Sequence, residues 1–381
     1  MTKSRLNKKI LVIFGTRPEA IKLAPLAIAL KEHFEVSVCV TAQQREMMDQ
    51  VLELFDIRPK YDLDIMKPGQ DLFDITSNIL KGIKKILQKE KPDLVIVQGD
   101  TSTTMAAALA AFYLRIPVGH VEAGLRTYDI SSPFPEELNR QATSRMASFH
   151  FAPTEISRNN LIDEKIDSKK VFVTGNTVID ALFSTVKKAR EVDFPKSLLK
   201  KCPFLSNQDV DKSQIILITG HRRESFGSAF VSICEALKEI ALKYPKVELI
   251  YPVHLNPNVQ EPVNRILSGV SNIHLVDALD YLSFVKLMDL SYLILTDSGG
   301  VQEEAPSLGK PVIVFRDVTE RLEAVNAGTV RIVGTEKSSI ISNIVELLEN
   351  KDSYLAMSRA HNPYGNGNAS EKITEILWKN L

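Results

Sequence analysis

Arg17, Asp100, Glu122 and Arg126 share a placement: each lies just past the end of a short apolar run, at 10–14, 94–97 or 117–121. Side chains leaving the carboxyl ends of parallel strands gather over one sheet edge, where ligands of such folds bind. Two carboxylates and two guanidiniums gathered there can transfer a proton and neutralise an anion, although a buried ion-pair cluster would use the same residue types. Gly220-His221-Arg222-Arg223-Glu224-Ser225-Phe226-Gly227 repeats the pattern further on, setting a histidine and two arginines past the run 215–219. Arginine forks suit phosphate, and histidine can bond a phosphate oxygen. The stretch 293–311, Leu-Ile-Leu-Thr-Asp-Ser-Gly-Gly-Val-Gln-Glu-Glu-Ala-Pro-Ser-Leu-Gly-Lys-Pro, reads as strand, glycine turn and helix. Ser298, Gly299 and Gly300 let backbone N–H groups approach an anion, and Glu304 lies far enough along to grip a pair of sugar hydroxyls. A nucleoside diphosphate with its ribose fits that order of groups. An ordinary strand-to-helix turn with acidic residues at its positive end would look similar. A rigid loop, Ser132-Pro133-Phe134-Pro135, carries Glu136 into a helix start.

Composition narrows the partners. The 47 basic and 47 acidic residues leave no net field to draw nucleic acid or a membrane surface, so an anionic ligand must be held by local groups. Cys39, Cys202 and Cys234 stand singly, without metal or redox spacing, as expected of a reduced cytoplasmic protein. The apolar part of residues 1–20 is too short for a signal peptide, and no apolar run approaches bilayer length. The chain has no GxGxxG, Walker loop or HExxH, so no cofactor and no metal are expected. Asp62-Leu63-Asp64 has the form of a common metal-binding tripeptide and is set aside as coincidence. His120, near a strand end, reads as a core histidine with its hydrogen bonds satisfied.

Strand and helix signals alternate along the chain. Continuous β-type runs at 10–14, 36–40, 94–97 and 117–121 are the mark of strands covered on both faces. Between them lie helical patterns at about 17–33, 46–55, 72–88 and 101–114, the first opened by the Thr16/Glu19 capping-box spacing with Pro18 in its first turn. A helix after Glu136, strands near His150 and Val171 and a helix opened by Gly175-Asn176-Thr177 follow. Residues 187–212 are charged and loosely patterned, a connecting segment. A second series then runs through strands at 215–219, 248–252, near His274, 293–295 and 311–315. Helices fall at 229–243, 259–267, 301–308, 337–349 and 370–379. The reading is α/β, with two Rossmann-like, doubly wound parallel-sheet domains, 1–186 and 213–363, facing a cleft.

In order along the chain stand Phe14-Gly-Thr-Arg-Pro-Glu-Ala, Gln98-Gly-Asp-Thr, His120-Val-Glu-Ala-Gly-Leu-Arg-Thr, Gly220-His-Arg-Arg-Glu-Ser, Pro252-Val-His-Leu-Asn-Pro and Asp297-Ser-Gly-Gly-Val-Gln-Glu-Glu. From about Lys9 to the C-terminus the chain resembles the bacterial non-hydrolysing UDP-N-acetylglucosamine 2-epimerases. The resemblance implies a GT-B-like fold whose last helix, about 364–381, returns to the first domain. It implies a homodimer, and interconversion of UDP-N-acetylglucosamine and UDP-N-acetylmannosamine for surface polysaccharides. Matched by motif, Arg17, Lys22, His221, Phe284, Ser298, Gly299, Gly300, Glu304 and Arg321 bind UDP, with Glu304 on the ribose and Phe284 by the uracil. The resemblance implies that Asp100, Glu122 and Glu136 are the catalytic carboxylates, assisted by His221. Gln43, Gln70, Glu136, Arg222 and His254 match a second, regulatory UDP-N-acetylglucosamine site. Leu322 stands where many members carry proline, removing a stiffening residue beside Arg321, and Gly69 where some carry arginine. Three rivals stand beside this reading. They are an epimerase of a diacetamido sugar nucleotide, a GT-B glycosyltransferase and a sugar-nucleotide binder without turnover.

Overall fold

The structure is a computed structural model describing residues 8–381 apart from Gln44, Pro68 and 207–213. It divides into two compact units, one running to Phe183 and completed by Tyr364–Leu381, the other spanning Ser184–Pro363.

In the first unit seven strands are β1 (Lys9–Phe14), β2 (Glu35–Val40), β3 (Tyr61–Asp62), β4 (Leu94–Gln98), β5 (Val118–Val121), β6 (Phe149–Ala152) and β7 (Val171–Val173). Every pairing is parallel, in the order β3-β2-β1-β4-β5-β6-β7. Because β1 and β4 lie side by side while the chain travels outward from each in opposite directions, the loops after them part over the sheet's switch point. β4 is buried along its whole length, as helices on both faces require. On one face Leu11, Ile13, Val95 and Val97 pack with Ile79 and Ile83 and with the alanines 106–108, 110 and 111 of the helix Ser102–Tyr113. Short alanine side chains let that helix lie close to the sheet.

The second unit has β8 (Gln214–Thr219), β9 (Val247–Pro252), β10 (Ile273–Val276), β11 (Leu293–Thr296), β12 (Val312–Val314) and β13 (Val330–Ile332), all parallel in the order β10-β9-β8-β11-β12-β13. Its switch point falls between β8 and β11. The core sets Ile216, Ile218, Leu249, Leu293 and Leu295 against Phe230, Leu237, Val259 and Ile344 of the covering helices.

Two sequence expectations change. Residues 187–206 of the expected connecting segment carry the end of the helix Thr177–Glu191, the helix Lys196–Lys201 and a 3-10 turn, Pro203–Ser206; the remainder of that segment lies outside the described residues. The helix expected at 301–308 is a six-residue α-helix, Gly299–Glu304, followed by a 3-10 turn, Ala305–Leu308. Helices Glu155–Asp163 and Tyr281–Leu290 and the strand β13 were not among the expected elements.

The C-terminal helix, Ala369–Asn380, lies on the first unit beside the helix Arg17–Leu30. Asp180 holds its start, accepting from the backbone N–H of Ala369 at 3.2 Å and of Ser370 at 2.8 Å. Near its end the Trp378 ring sits 4.9 Å from His33 and edge-on to Phe34 at 5.9 Å.

Candidate active site

At each switch point one buried carboxylate ties the two diverging loops together. In the first unit it is Glu19, 1 % exposed. Its Oε2 accepts from Gly15 N at 3.0 Å and Thr16 N at 2.8 Å after β1, while Oε1 accepts from Thr101 Oγ1 at 2.7 Å and Thr104 Oγ1 at 3.1 Å after β4. Burial pushes the carboxyl up, and the hydroxyl and backbone donors pull it back. The capping box was legible, but the reach to the second loop was not. Gly15 proves obligatory, because a Cβ there would stand 2.1 Å from Thr41 Oγ1 and 2.4 Å from Thr103 Oγ1. This loop carries Arg17 as the first residue of its helix.

Past β5, Glu122 is 8 % exposed and holds a positive φ of 62°. It forms an ion pair with Lys22 and accepts from Gln98 Nε2 at 3.0 Å and Asn176 Nδ2 at 3.3 Å. Asp100, past β4, meets Arg140 Nη2 at 2.6 Å, and its backbone carbonyl accepts from Asn139 at 2.9 Å. Burial raises the Asp100 carboxyl; Arg140 lowers it, Glu122 raises it, Lys22 lowers it and Glu136 raises it. Desolvation therefore outweighs the Arg140 bridge, leaving Asp100 readier to hold a proton than a free aspartate. Glu136 opens the helix Glu136–Met146, half-buried. Lys22, Glu122 and Glu136 thus all come within electrostatic reach of Asp100. Gln98 and Asn176, which bond Glu122, and Arg140, which bonds Asp100, gave no separate signal in the sequence.

Arg126 does not join them. Its wholly buried side chain forks onto Glu164 at 2.6 and 3.0 Å and reaches Ser144 at 3.0 Å, a structural clamp to a partner 38 residues away. Asp62 and Asp64 both form ion pairs with Arg45.

His120 is buried as expected, with Nε2 2.7 Å from the Gly99 carbonyl, but its Nδ1 makes no hydrogen bond among the described residues. His150, its register partner on β6, is buried too. Desolvation holds His120 down to about 4 and His150 to about 3, against an ordinary 6.5. Both rings are neutral in the fold and take a proton more readily once unfolded, so between those values the unfolded chain binds more protons. Their contribution to stability is whole above pH 6.5 and is lost as pH falls toward about 4 and about 3. The raised carboxyls of Glu19, Asp100 and Asp180 act with the opposite sign and offset part of it. Denaturation midpoints are expected to fall steadily between about pH 6.5 and pH 4.5, and less steeply in His150→Asn. A flat profile, or an unchanged slope in that variant, would count against the assignment.

In the second unit Asp297, fully buried, is the counterpart of Glu19. Its Oδ2 accepts from the backbone N–H of His221 at 2.7 Å and of Arg222 at 2.8 Å, joining the loop after β8 to the turn after β11. The His221 ring stacks on His254, centroids 5.1 Å apart and 16° between planes. His254 Nδ1 accepts from Asn256 N at 3.1 Å, and burial followed by the nearby His221 lowers its affinity for a proton.

The turn Ser298-Gly299-Gly300 follows, and a Cβ on Gly299 would stand 3.2 Å from Arg321 Cζ, so glycine lets that guanidinium lie on the turn. With only six residues in its helix, charge complementarity here rests on the first N–H groups and on Arg321 more than on a macrodipole. Arg321 bonds Glu303 at 2.8 Å and Glu320 at 3.2 Å. Leu322 opens the next helix, at a position that accepts proline and leucine alike, so the ion pairs rather than a stiff loop hold Arg321. Arg222 and Arg316 also meet Glu320, at 3.3 and 3.1 Å. Although burial opposes it, Arg321, Arg222 and Arg316 with a backbone hydrogen bond hold the Glu320 carboxyl down to about 2. Glu304, 6 % exposed, receives the Tyr281 hydroxyl, and Phe284 is three residues along the same side of that helix.

Of the remaining expected residues, Gln43 is half-buried with its Oε1 3.3 Å from where a Gly15 Cβ would stand. Gln70 folds onto its own loop, its Oε1 accepting from Lys67 N at 2.6 Å.

Two doubly wound units, one presenting carboxylates beside a lysine and the other a glycine turn crossed by an arginine, define an α/β protein built to handle a nucleotide-linked substrate. The comparisons with known proteins carry this further. The family model described as UDP-N-acetylglucosamine 2-epimerase matches residues 27–378. The UDP-N-acetylglucosamine 2-epimerase of Escherichia coli (strain K12) is 59% identical over 375 residues, 98% of this chain and 99% of its own. The crystal structure of UDP-GlcNAc 2-epimerase from Neisseria meningitidis bound to UDP-GlcNAc is 54% identical, with a TM-score of 0.89 over 98% of this chain and 100% of that one. The Methanocaldococcus jannaschii enzyme in complex with UDP-GlcNAc and UDP is 37% identical, with a TM-score of 0.79 over 98% and 100%. The chain belongs to the UDP-N-acetylglucosamine 2-epimerase family.

Among the described residues no helix is long and apolar enough to cross a membrane, and no group of three or more His, Cys, Asp or Glu is arranged to hold a metal ion.

Proposed function

We propose that this chain interconverts UDP-N-acetylglucosamine and UDP-N-acetylmannosamine by anti elimination of UDP to 2-acetamidoglucal and its return, with a proton delivered to the opposite face of C2. The C2 hydrogen is not acidic enough to leave unless its electrons go somewhere at once, and expulsion of UDP from C1 takes them. Such a path needs carboxyl groups for two faces of the sugar and a neutralised leaving diphosphate. The observation that carries the reading is the group around Asp100: a carboxyl raised by burial stands beside Glu122, which is ion-paired to Lys22, with Glu136 near. Titratable groups in such contrasting environments divide the roles of acid and base. Arg17, Lys22, His221, Phe284, Ser298, Gly299, Gly300, Glu304 and Arg321 bind the UDP-sugar, and relatives whose structures contain UDP-GlcNAc support that ligand.

The test is incubation of the purified protein with UDP-N-acetylglucosamine alone in deuterium oxide. Solvent deuterium is expected at C2 of both epimers by NMR. An unchanged C2 configuration would sink the epimerase reading in favour of a transferase or a binder; epimerisation with the C2 hydrogen fully retained would sink the elimination.

The protein acts in the cytoplasm as a homodimer and feeds surface polysaccharide synthesis. The exposed apolar run Phe112, Tyr113 and Leu114 at the end of one helix suits an interface. Gln43, Gln70, Glu136, Arg222 and His254 hold a second substrate molecule that favours the active state. Rates are then expected to depend sigmoidally on UDP-N-acetylglucosamine, with the reverse reaction started by traces of it. Hyperbolic kinetics in both directions, unaltered by His254→Ala, would remove the regulatory role.

A further inference from the structure

Asp297 has one oxygen without a hydrogen-bond partner among the described residues. Its Oδ2 is saturated by the backbone N–H groups of His221 and Arg222, while Oδ1, fully buried, makes no hydrogen bond among the described residues. Buried acceptors are seldom left so, and an unused one points to a donor that arrives only in another state. The donor at hand is His221 Nδ1, 3.5 Å from Oδ1, long for a hydrogen bond. The arrangement is that of a carboxylate behind an imidazole, in which the backing anion chooses which ring nitrogen carries a proton and fixes the ring's orientation.

We propose that Asp297 is a positioning residue for the epimerisation: its Oδ1 accepts a hydrogen bond from Nδ1–H of His221 as UDP binds, so that the ring keeps both protons and donates from Nε2 to the diphosphate. The inference rests on the assignment of His221 and the Ser298 turn to UDP. A ring with an anion at each nitrogen favours the doubly protonated form, and that form neutralises charge as the C1–O bond breaks. Among the described residues, His221 faces Asp297, from the turn after β11, and His254, from the loop after β9. His254 does not compete for the charge, because its Nδ1 is occupied as an acceptor. Asp297 also stands one residue before the Ser298 turn, so the backing anion and the phosphate seat move as one piece.

The experiment uses full-length protein with 15N-labelled histidine, saturated with UDP. Both nitrogens of His221 are expected to show imidazolium shifts in the wild type. Asp297→Asn keeps a carbonyl oxygen for the two backbone bonds but turns an amide toward Nδ1, which removes that nitrogen's proton. UDP affinity is expected to fall about ten- to a hundredfold, the range for losing a charge-assisted hydrogen bond, with kcat falling further than kcat/KM is changed by KM alone. In a double-mutant cycle, Asp297→Asn is expected to add nothing once His221→Ala is present. A singly protonated ring in wild type with UDP bound overturns the proposal without any variant having to fold. So does an Asp297→Asn loss that adds in full to that of His221→Ala, which would mark Asp297 as merely structural. If His221→Ala leaves UDP affinity unchanged, the assignment of this turn to the diphosphate is what fails, and the proposal with it.

Discussion

Glu122→Gln and Asp100→Asn are each expected to lower kcat more than about a hundredfold while leaving UDP affinity within a fewfold of wild type, the usual scale for removing a general acid or base. The two substitutions stress the site differently. In Glu122→Gln the amide can keep one bond to Gln98 or Asn176, but the Lys22 ammonium loses its ion pair, so a small loss of stability accompanies the loss of rate. In Asp100→Asn the amide oxygen can still accept from Arg140, so the loop stays in place and the rate loss reports the missing carboxyl. Calorimetry with UDP separates chemistry from structure. Affinity collapsing in step with rate would mean that these carboxylates hold the unit together and do not act on the sugar. Glu136→Gln, with a half-buried side chain at a helix start, is expected to lower kcat on a similar scale without a measurable change in folding stability.

Removing the Glu304 carboxylate is expected to cost about a hundredfold in UDP affinity, since two charge-assisted hydrogen bonds to a ribose diol are each worth about 1.5–3 kcal/mol and part is recovered by water. The buried carboxylate is already aimed by the Tyr281 hydroxyl, so little ordering is left to do at binding. Glu304→Gln, which keeps one acceptor, is expected to lose about tenfold. The decisive comparison uses 2′,3′-dideoxy-UDP. Wild type should bind it far more weakly than UDP, and Glu304→Ala should bind the two alike. If the alanine variant still prefers UDP as strongly as wild type does, the ribose is held elsewhere.

The fold was legible because a parallel sheet buries both faces of its strands, and Ile10-Leu11-Val12-Ile13-Phe14 or Leu94-Val95-Ile96-Val97 leaves no other place for such a run. The helix Glu155–Asp163 was not, since little of it beyond Ser157 and Leu161 is buried and it presents no apolar stripe. β13 has only three residues, with Arg331 in the middle, too short for a periodicity. At the site, residues belonging to a local motif were found, whereas their distant partners were not. Asp297 was quoted as the head of a glycine turn, but its bonds reach His221 and Arg222, 76 and 75 residues back. Glu19 was read as a cap, yet two of its five bonds go to threonines more than 80 residues away. Arg126 shows the converse: its position past β5 suggested the site, and only Glu164 in three dimensions explains where it went.

The first unit is assembled from both ends of the chain, with the second inserted between. During synthesis the ribosome therefore releases every strand of the first sheet long before the helix Ala369–Asn380 that completes it, and the inserted unit can fold while its host still waits. Stop codons near the 3′ end of the message would consequently injure the unit that bears Asp100 and Glu122, encoded hundreds of codons upstream, and spare the one that bears the glycine turn.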